Sequence, residues 1–169
     1  MKDNISLIGF MGSGKTTIGQ LLANEMNYLF FDLDRIIELS EGKSINEIFK
    51  SKGENYFRDI ESKIIKKIFF NKHCVFACGG GVVLRGENMI IINKKSQVVF
   101  LDISPREALK RLEDSSERPL LKEKNREATI KNLIKQRKIL YSKYADIIIN
   151  NTDISPDKAA DTILKKFKN

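Results

Sequence analysis

Short apolar runs alternate with longer stretches of helical periodicity along this chain. The apolar runs span about residues 4–9, 28–33, 74–78, 97–102 and 146–149, and each predicts a buried strand. The segments between them repeat apolar residues every three or four positions, as amphipathic helices do. Strands that alternate with helices predict an α/β fold in three layers, with helices covering both faces of a parallel sheet.

Two helix starts are marked by the local sequence. Ser104-Pro105-Arg106-Glu107 places a capping serine before a first-turn proline, with glutamate three residues after the serine. Ser155-Pro156-Asp157 follows a similar pattern. In contrast, residues 114–125 are dense in charge and poor in periodic apolar positions. We interpret that stretch as a lid between two helices.

The size and composition favour one domain spanning residues 1–169. A chain of 169 residues with 41% hydrophobic content can bury one core but is short for two domains. No apolar run approaches the roughly 20 residues that a membrane span requires. The apolar segment near the beginning of the sequence, residues 5–11, is also too short for a signal peptide. We therefore expect a cytoplasmic monomer without a membrane partner.

The two cysteines and the single histidine are not candidates for chemistry. Cys74 and Cys78 lie four apart in a predicted strand, which separates their Cα atoms by ~13 Å, too far for a disulfide. We expect both to be reduced core residues. His73 precedes that strand, and we interpret it as a loop residue rather than a catalyst.

The net charge of +8 indicates attraction to anions, but it does not choose among nucleic acids, membranes and small metabolites. The lysine pairs are scattered along the chain, and no aromatic residues are interleaved with them as in a platform for single strands. We therefore expect no nucleic-acid partner.

A phosphate-binding loop follows the first predicted strand. Gly9-Phe10-Met11-Gly12-Ser13-Gly14-Lys15-Thr16 matches the pattern G-x-x-x-x-G-K-[ST] at every required position, and a helical segment follows directly. In such loops the lysine reaches the β- and γ-phosphates, and the Ser/Thr hydroxyl completes the coordination of Mg²⁺. The guanine-reading pattern Asn-Lys-x-Asp is lacking, because Asn93-Lys94-Lys95 is followed by Ser96. ATP is therefore the favoured nucleotide. The predicted ATP contacts are Gly12, Ser13, Gly14, Lys15, Thr16 and Thr17.

Two carboxylates mark the end of the second strand. Asp32 and Asp34 lie two apart, so in a strand their side chains would point to the same side, into the crevice where parallel sheets bind ligands. One acid could orient Mg²⁺ through water while the other accepts a proton from the hydroxyl that is phosphorylated. The alternative is that Asp34 only caps a helix that begins near Arg35.

Two arginines occupy positions that suggest an anionic ligand. Arg137 falls on an apolar helical stripe, where a buried guanidinium needs an internal or a bound carboxylate. Arg58 precedes Glu61 by three residues, a spacing at which the pair can meet on one helix and hold the guanidinium toward a ligand. A plain surface ion pair is the alternative for Arg58.

Two further features point to the same edge of the sheet. Gly79-Gly80-Gly81 follows the third strand, so bare backbone could approach a substrate there, although a plain turn is the alternative. Arg118 lies in the predicted lid, from which it could reach the transferring phosphoryl group as an arginine finger does.

Taken together, these motifs resemble the shikimate kinase family, from the nucleoside monophosphate kinase-like branch of P-loop proteins. The resemblance covers most of the chain and rests on a combination of short motifs rather than on the phosphate-binding loop alone. The motifs are residues 12–17, Phe31-Asp32-Leu33-Asp34, Gly42-Lys43-Ser44-Ile45, Glu47-Ile48-Phe49, Gly53-Glu54, Phe57-Arg58 with Glu61, Gly79-Gly80-Gly81, Arg118-Pro119-Leu120-Leu121, and Arg137 with Tyr141.

The resemblance implies ATP-dependent phosphorylation of the 3-hydroxyl of shikimate, in the pathway toward aromatic amino acids, with Mg²⁺ as cofactor. Asp34 would bind the hydroxyl and help to remove its proton. The implied substrate contacts are Arg58, Gly80 and Arg137, with the arginines on the carboxylate. Lys15 and Arg118 would stabilise the phosphoryl group, Thr16 would bind Mg²⁺, and Asp32 would act on the metal through water.

The resemblance also implies a five-stranded parallel sheet of order 2-3-1-4-5, a substrate-binding segment over residues 34–62 and a lid over residues 114–125. It weakens after the last strand, where Asn150-Asn151-Thr152-Asp153 offers no identifiable adenine contact. Arg111 could stack on adenine or be a solvated helix arginine.

Three other functions remain open from the sequence. The acceptor could be gluconate or a nucleoside monophosphate, because two arginines can also hold a phosphate. The chain could be a nucleotide sensor without an acceptor, although Asp34 argues against this. Nucleic-acid binding rests on net charge alone.

Overall fold

The computed structural model describes residues 2–112 and 126–167. Over these residues the chain forms five strands and seven α-helices. The strands are β1 (Asn4–Ile8), β2 (Leu29–Asp32), β3 (Cys74–Ala77), β4 (Ser96–Asp102) and β5 (Ile147–Asn150). The helices are α1 (Lys15–Met26), α2 (Leu33–Glu41), α3 (Ile45–Ile68), α4 (Gly86–Lys95), α5 (Pro105–Leu112), α6 (Arg126–Tyr144) and α7 (Pro156–Phe167). A short 3₁₀ helix covers Val82–Leu84.

The strands form one parallel sheet of order β2-β3-β1-β4-β5, which confirms the expected topology. β1 is central, and its Ile5 lies opposite Val75 on one side and Gln97 on the other. Every residue of β1 and β3 is buried, as expected when helices cover both faces of a parallel sheet.

Two hydrophobic clusters fill the space between the sheet and its two helical layers. Leu7 belongs to the cluster that includes residues of α1 and α7. The next residue, Ile8, belongs to the opposite cluster, which includes residues of α3, α4 and α6. This alternation follows from the period of two in a strand and gives the predicted three-layer arrangement.

The predicted helix starts are correct. The Ser104 hydroxyl accepts a hydrogen bond from the amide of Glu107 at 3.2 Å, and the Ser155 hydroxyl accepts one from the amide of Lys158 at 3.3 Å. Each serine thereby satisfies an amide that has no partner inside the helix.

α2 and α3 form a pair beside the sheet. A capping box begins α3, in which Ser44 and Glu47 each bond to the backbone amide of the other. Gly53 interrupts α3 with φ 81° and ψ 172°, so α3 consists of two helical segments joined at a kink. The pair has a small core of its own, made of Ile37, Ile48, Phe57 and Ile60.

Three smaller expectations can be compared with the structure. Cys74 and Cys78 are free, buried thiols, as predicted. His73 lies before β3 with φ 55° and sets its ring edge against Tyr28. None of the helices in residues 2–112 and 126–167 has the length and apolar character needed to cross a bilayer.

Candidate active site

Two clefts adjoin at the carboxyl end of the sheet. The first, of about 530 Å³, is the phosphate-loop cleft, lined by residues that include Gly12, Gly14, Lys15, Thr16, Thr17, Arg111 and Asn151. The second, of about 890 Å³, is the arginine cleft, lined by residues that include Phe49, Phe57, Arg58, Glu61, Gly79, Gly80, Gly81 and Arg137. Asp32 and Asp34 line both clefts, so these carboxylates stand where the two meet.

The phosphate-loop cleft has the backbone geometry of an anion site. Gly12 and Gly14 have φ of 77° and 83°, and Gly14 is the N-cap of α1. The N-terminus of that helix carries a partial positive charge, which favours bound phosphate. The Lys15 ammonium donates to the carbonyls of Gly9 at 3.0 Å and Phe10 at 2.9 Å, which holds the charge against the loop.

Side chains from outside the loop hold its carbonyls. The Asn151 amide Nδ2 donates to the Ser13 carbonyl at 2.8 Å, and Arg111 Nη1 donates to the Gly12 carbonyl at 3.3 Å. Arg111 is itself paired with Glu107 at 2.7 Å. The interpretation of Arg111 as a solvated helix arginine is therefore wrong, because its guanidinium is bound to the backbone of the loop.

The geometry of the two aspartates differs from the prediction. β2 ends at Asp32, and Asp34 lies in the first turn of α2, so the expectation that both project from one strand face is wrong. The residue that caps α2 is Asp32, which accepts from the amide of Arg35 at 3.2 Å. The alternative in which Asp34 is the cap is therefore also wrong. The tight turn from strand to helix still brings both carboxylates to the junction of the clefts.

Thr16 and Asp32 form an oxygen pair beside the phosphate loop. The Thr16 hydroxyl donates to Asp32 Oδ2 at 2.7 Å. Hydroxyl and carboxylate oxygens are ligands that Mg²⁺ accepts, and the ion usually takes one or two protein ligands together with phosphate oxygens. This pair fits that pattern. Groups of three or more His, Cys, Asp or Glu side chains suited to a metal do not occur in the part of the chain that the structure describes.

Arg58 is a buried member of the arginine cleft. Its guanidinium contacts Glu61 at 2.9 Å and Glu54 at 3.2 Å, and only 8% of the residue is exposed. The predicted pairing with Glu61 is therefore correct, and the alternative of a surface ion pair is wrong. Glu61 is fully buried, and burial raises the pKa of its carboxyl while Arg58 opposes that shift. Its Oε1 has no hydrogen-bond partner among the described residues.

The glycines after β3 leave room for charged side chains. A Cβ on Gly81 would lie 2.0 Å from Nη2 of Arg58, and a Cβ on Gly79 would lie 2.7 Å from Oδ1 of Asp34. A Cβ on Gly80 would have no neighbour closer than 3.6 Å. The glycine required for space on the arginine side is therefore Gly81 rather than Gly80.

The carbonyl of Gly80 joins this loop to α6. It accepts hydrogen bonds from the Tyr141 hydroxyl and from Arg137 Nη1, the latter at 3.4 Å. Tyr141 is 1% exposed, its ring stacks on Phe100, and burial raises its pKa to about 12. The hydroxyl therefore remains a proton donor throughout the neutral range.

The structure brings most of the predicted site residues together. Lys15, Thr16, Thr17, Asp32 and Asp34 meet at the phosphate-loop cleft, and Arg58, Gly80 and Arg137 meet in the arginine cleft. Arg118 and the predicted lid over 114–125 lie outside the described residues. The glycine pattern after β3 suggested a close approach of bare backbone to a substrate, but not the space that Gly79 and Gly81 leave for Asp34 and Arg58. The contacts of Tyr141 and Asn151 were not predicted either, because they depend on the tertiary fold. The spacing of Glu61 from Arg58 on one helix was the local signal that could have added Glu61 to the site.

Comparison with known proteins gives a consistent result. A family model described as shikimate kinase matches residues 11–168. A shikimate kinase of Thermodesulfovibrio yellowstonii is 44% identical over 98% of this chain and 95% of its own length. The chain belongs to the shikimate kinase family.

Solved structures of shikimate kinases share this fold. A chain from Acinetobacter baumannii, solved in complex with shikimate, superposes with a TM-score of 0.95 at 33% identity and covers 98% of this chain and 93% of that one. The Aquifex aeolicus shikimate kinase gives a TM-score of 0.85 at 38% identity, over 98% of this chain and 96% of that one.

Proposed function

We propose that this chain transfers the γ-phosphoryl group of ATP to the 3-hydroxyl of shikimate, in the pathway toward aromatic amino acids. The observation that carries the proposal is the position of Asp34, whose carboxylate stands between an anion-binding loop and a cleft with two arginines. A group at this junction can contact an acceptor hydroxyl and a phosphoryl donor together. Membership of the shikimate kinase family supports the choice of acceptor.

The phosphate-loop cleft is proposed to hold ATP. Backbone amides of residues 12–17 contact the phosphates, because glycines let the main chain approach them closely. On binding, the Lys15 ammonium exchanges loop carbonyls for the β- and γ-phosphate oxygens. Arg118 is proposed to reach the transferring group from the lid, on the basis of the family resemblance.

Mg²⁺ is proposed to accompany ATP. Thr16 would bind the ion through its hydroxyl, and Asp32 would hold it through a water molecule. When bound, the ion neutralises charge on the phosphates. The oxygen pair described above supports this assignment through its chemistry and its position beside the loop.

The arginine cleft is proposed to hold shikimate. Arg58 and Arg137 grip the carboxylate, since guanidinium groups form paired hydrogen bonds with carboxylates. Glu61 keeps Arg58 in place from its buried side. Gly80 contacts the ring substituents through its backbone, and Asp34 accepts the proton of the 3-hydroxyl as the oxygen attacks phosphorus.

Two structural assignments belong to the same proposal. Residues 34–62 form a substrate-binding segment and residues 114–125 a lid, within one domain of 169 residues. Closure would exclude water that otherwise hydrolyses ATP. The chain is further proposed to act as a cytoplasmic monomer on small molecules alone, without nucleic-acid or membrane partners.

The first experiment is ADP release from ATP and Mg²⁺ with and without shikimate, beside gluconate and nucleoside monophosphates. We expect saturable stimulation by shikimate alone. Stimulation by another acceptor would support the assignment as a kinase and contradict shikimate as its substrate. Silence with every acceptor would favour a nucleotide sensor instead.

A variant tests the role of the junction carboxylate. Asp34→Asn should lower kcat by about 10²–10⁴-fold, the usual size of a general-base contribution, while ATP affinity stays near that of the unaltered chain. Turnover is measured by ADP release and affinity by calorimetry. Near-normal turnover in this variant would contradict the general-base assignment. Lys15→Ala should abolish turnover, because the β- and γ-phosphates of ATP lose the ammonium group that binds them.

A further inference from the structure

The side chain of Asn151 contacts the backbone of the phosphate-binding loop. Its Nδ2 donates to the Ser13 carbonyl at 2.8 Å, across a large separation in sequence. Ser13 and Asn151 are both buried, with 0% and 2% of their surface exposed. A buried carbonyl needs a donor, and Asn151 supplies one from outside the loop.

This contact sets the direction of an amide that faces the ligand. The carbonyl of Ser13 and the N–H of Gly14 belong to one trans peptide, in which they point in opposite directions. Loops of this motif direct their backbone amides at the phosphates. By holding the Ser13 carbonyl, Asn151 therefore keeps the Gly14 N–H in the opposite direction, toward the bound phosphate. Gly14 is also the N-cap of α1, where amides lack helical partners. The peptide is thus oriented before any phosphate arrives.

Asn151 is well placed to keep this direction fixed. Its own backbone amide donates to the carbonyl of Asp102, at the end of β4, at 2.7 Å. Its backbone carbonyl accepts from Arg111 Nη2 at 3.1 Å. The backbone of Asn151, directly after β5, is therefore tied to the end of β4 and to Arg111 of α5.

We propose that Asn151 is a positioning residue that preorganises the phosphate-binding loop by orienting the Ser13–Gly14 peptide. In this role Asn151 acts through the loop and contacts neither the adenine base nor the acceptor. The inference rests on the proposed function only in assigning phosphate to the loop. Loss of the donor should therefore weaken the binding of phosphate chains whether or not a base is attached.

The test uses Asn151→Asp, which keeps the size of the side chain but replaces the donor by a charged acceptor. Oδ1 of Asn151 accepts no hydrogen bond from the described residues, and neither oxygen of the new carboxylate can donate to the Ser13 carbonyl. Asn150→Asp is the matched control, because it adds the same charge one residue away at an exposed position. Asn151→Ala serves as a neutral second variant if the charged one does not fold.

Inorganic tripolyphosphate is the decisive probe, since it has neither base nor ribose. Dissociation constants for tripolyphosphate, ATP and shikimate are measured by calorimetry on each full-length variant, with the melting temperature recorded. We expect Asn151→Asp and Asn151→Ala to weaken the binding of tripolyphosphate and of ATP by a similar factor. That factor should be about tenfold or more, because a buried carbonyl loses its donor. Shikimate affinity should stay unchanged in every variant. In Asn150→Asp the affinities for tripolyphosphate and ATP should also stay unchanged.

Three results would overturn the proposal. A loss for ATP without a loss for tripolyphosphate would make Asn151 a contact of the nucleoside. A lower melting temperature with unchanged affinities would make it a structural residue only. An equal loss in Asn150→Asp would assign the effect to charge. None of these results depends on whether shikimate is the acceptor, so failure here is distinguishable from failure of the proposed function.

Discussion

Two pairs of glycines in the active site, Gly12 with Gly14 and Gly79 with Gly81, are needed for different reasons. In the phosphate-binding loop, Gly12 and Gly14 have φ of 77° and 83°, and a Cβ on either would meet nothing closer than 3.4 Å. These glycines supply a backbone conformation that other residues adopt at a cost. The space around them is sufficient for a methyl group.

The loop after β3 shows the opposite situation. Gly81 has a φ of −104°, which any residue can adopt, yet a Cβ there would overlap the guanidinium of Arg58. Gly79 is similarly confined by the carboxylates of Asp34 and Glu61. These glycines supply room for charged groups. A glycine in a site can therefore serve the backbone or its neighbours, and only the surrounding contacts distinguish the two cases.

Among the glycine variants, the largest effect is expected from Gly81→Ala. The added Cβ would displace the Arg58 guanidinium, so we expect kcat/KM for shikimate to fall by about 10- to 100-fold, the equivalent of a 1–3 kcal/mol overpacking penalty. ATP affinity should change little. Gly80→Ala is the comparison, since its Cβ would have no neighbour within 3.6 Å and the loss should be much smaller.

A double variant tests the cause directly. In the background of Arg58→Ala, the alanine at position 81 has no guanidinium to displace, so its additional effect should largely vanish. Steady-state kinetics on the four proteins gives the coupling. Simple addition of the two losses would mean that Gly81 is needed for its backbone and not for space.

A smaller effect is expected from Gly14→Ala. The left-handed conformation costs about 1–2 kcal/mol for alanine, so the melting temperature should fall by about 2–8 °C and ATP affinity should weaken. Gly42→Ala is matched in backbone conformation, with φ 61° and no atom within 4 Å of the added Cβ. It should lose similar stability at normal ATP affinity. An equal loss of ATP affinity in both variants would contradict a specific role of the Gly14 backbone in binding phosphate.

The smallest effect concerns Tyr141, which holds the middle glycine of the second loop. Burial raises its pKa to about 12, above the ordinary value of 10.0, so the native state keeps a proton that the unfolded chain releases. The stability of the native state should therefore decrease as the pH rises from 10 toward 12, by at most about 1.4 kcal/mol per pH unit from this group.

Tyr141→Phe removes this contribution. Urea unfolding at pH 9, 10 and 11 should show a steeper loss of stability in the unaltered chain than in the variant, with equal slopes below pH 10. Tyr144→Phe, one turn along α6 and half-buried, controls for the loss of a hydroxyl. Parallel slopes for the unaltered chain and Tyr141→Phe would contradict the raised pKa.

The sequence predicted those features that depend on local chemistry or on periodicity. The order of elements followed from hydrophobic periods, and the phosphate loop from a contiguous motif whose parts act within the loop itself. The pairing of Arg58 with Glu61 followed from helical spacing. Even the inward position of Arg137 followed from one stripe on α6.

The remaining features depend on where a strand ends or on what lies across space. A shift of the strand end by only a residue or two determines whether Asp34 belongs to β2 or to α2. Asp32 caps α2 by accepting from the amide of Arg35, which favours the helix at this point. The roles of Gly81 and Tyr141 come from contacts with Arg58 and Gly80 that are distant in sequence. Asn151 reaches the phosphate loop only because β5 and β1 lie in one sheet. No local pattern encodes such distances.

The separate core of α2 and α3 bears on how acceptor preference can change during evolution. The middle of this pair packs on itself around Ile37, Ile48 and Phe57, whereas Leu33 and Ile65 at its two ends pack in the cluster against the sheet. Substitutions within this small core should therefore disturb the phosphate loop little, because none of its four residues packs in the clusters against the sheet. Gly81 and Arg137 lie outside the pair and limit such substitutions, because any altered pair must still present a partner of compatible size and charge to them.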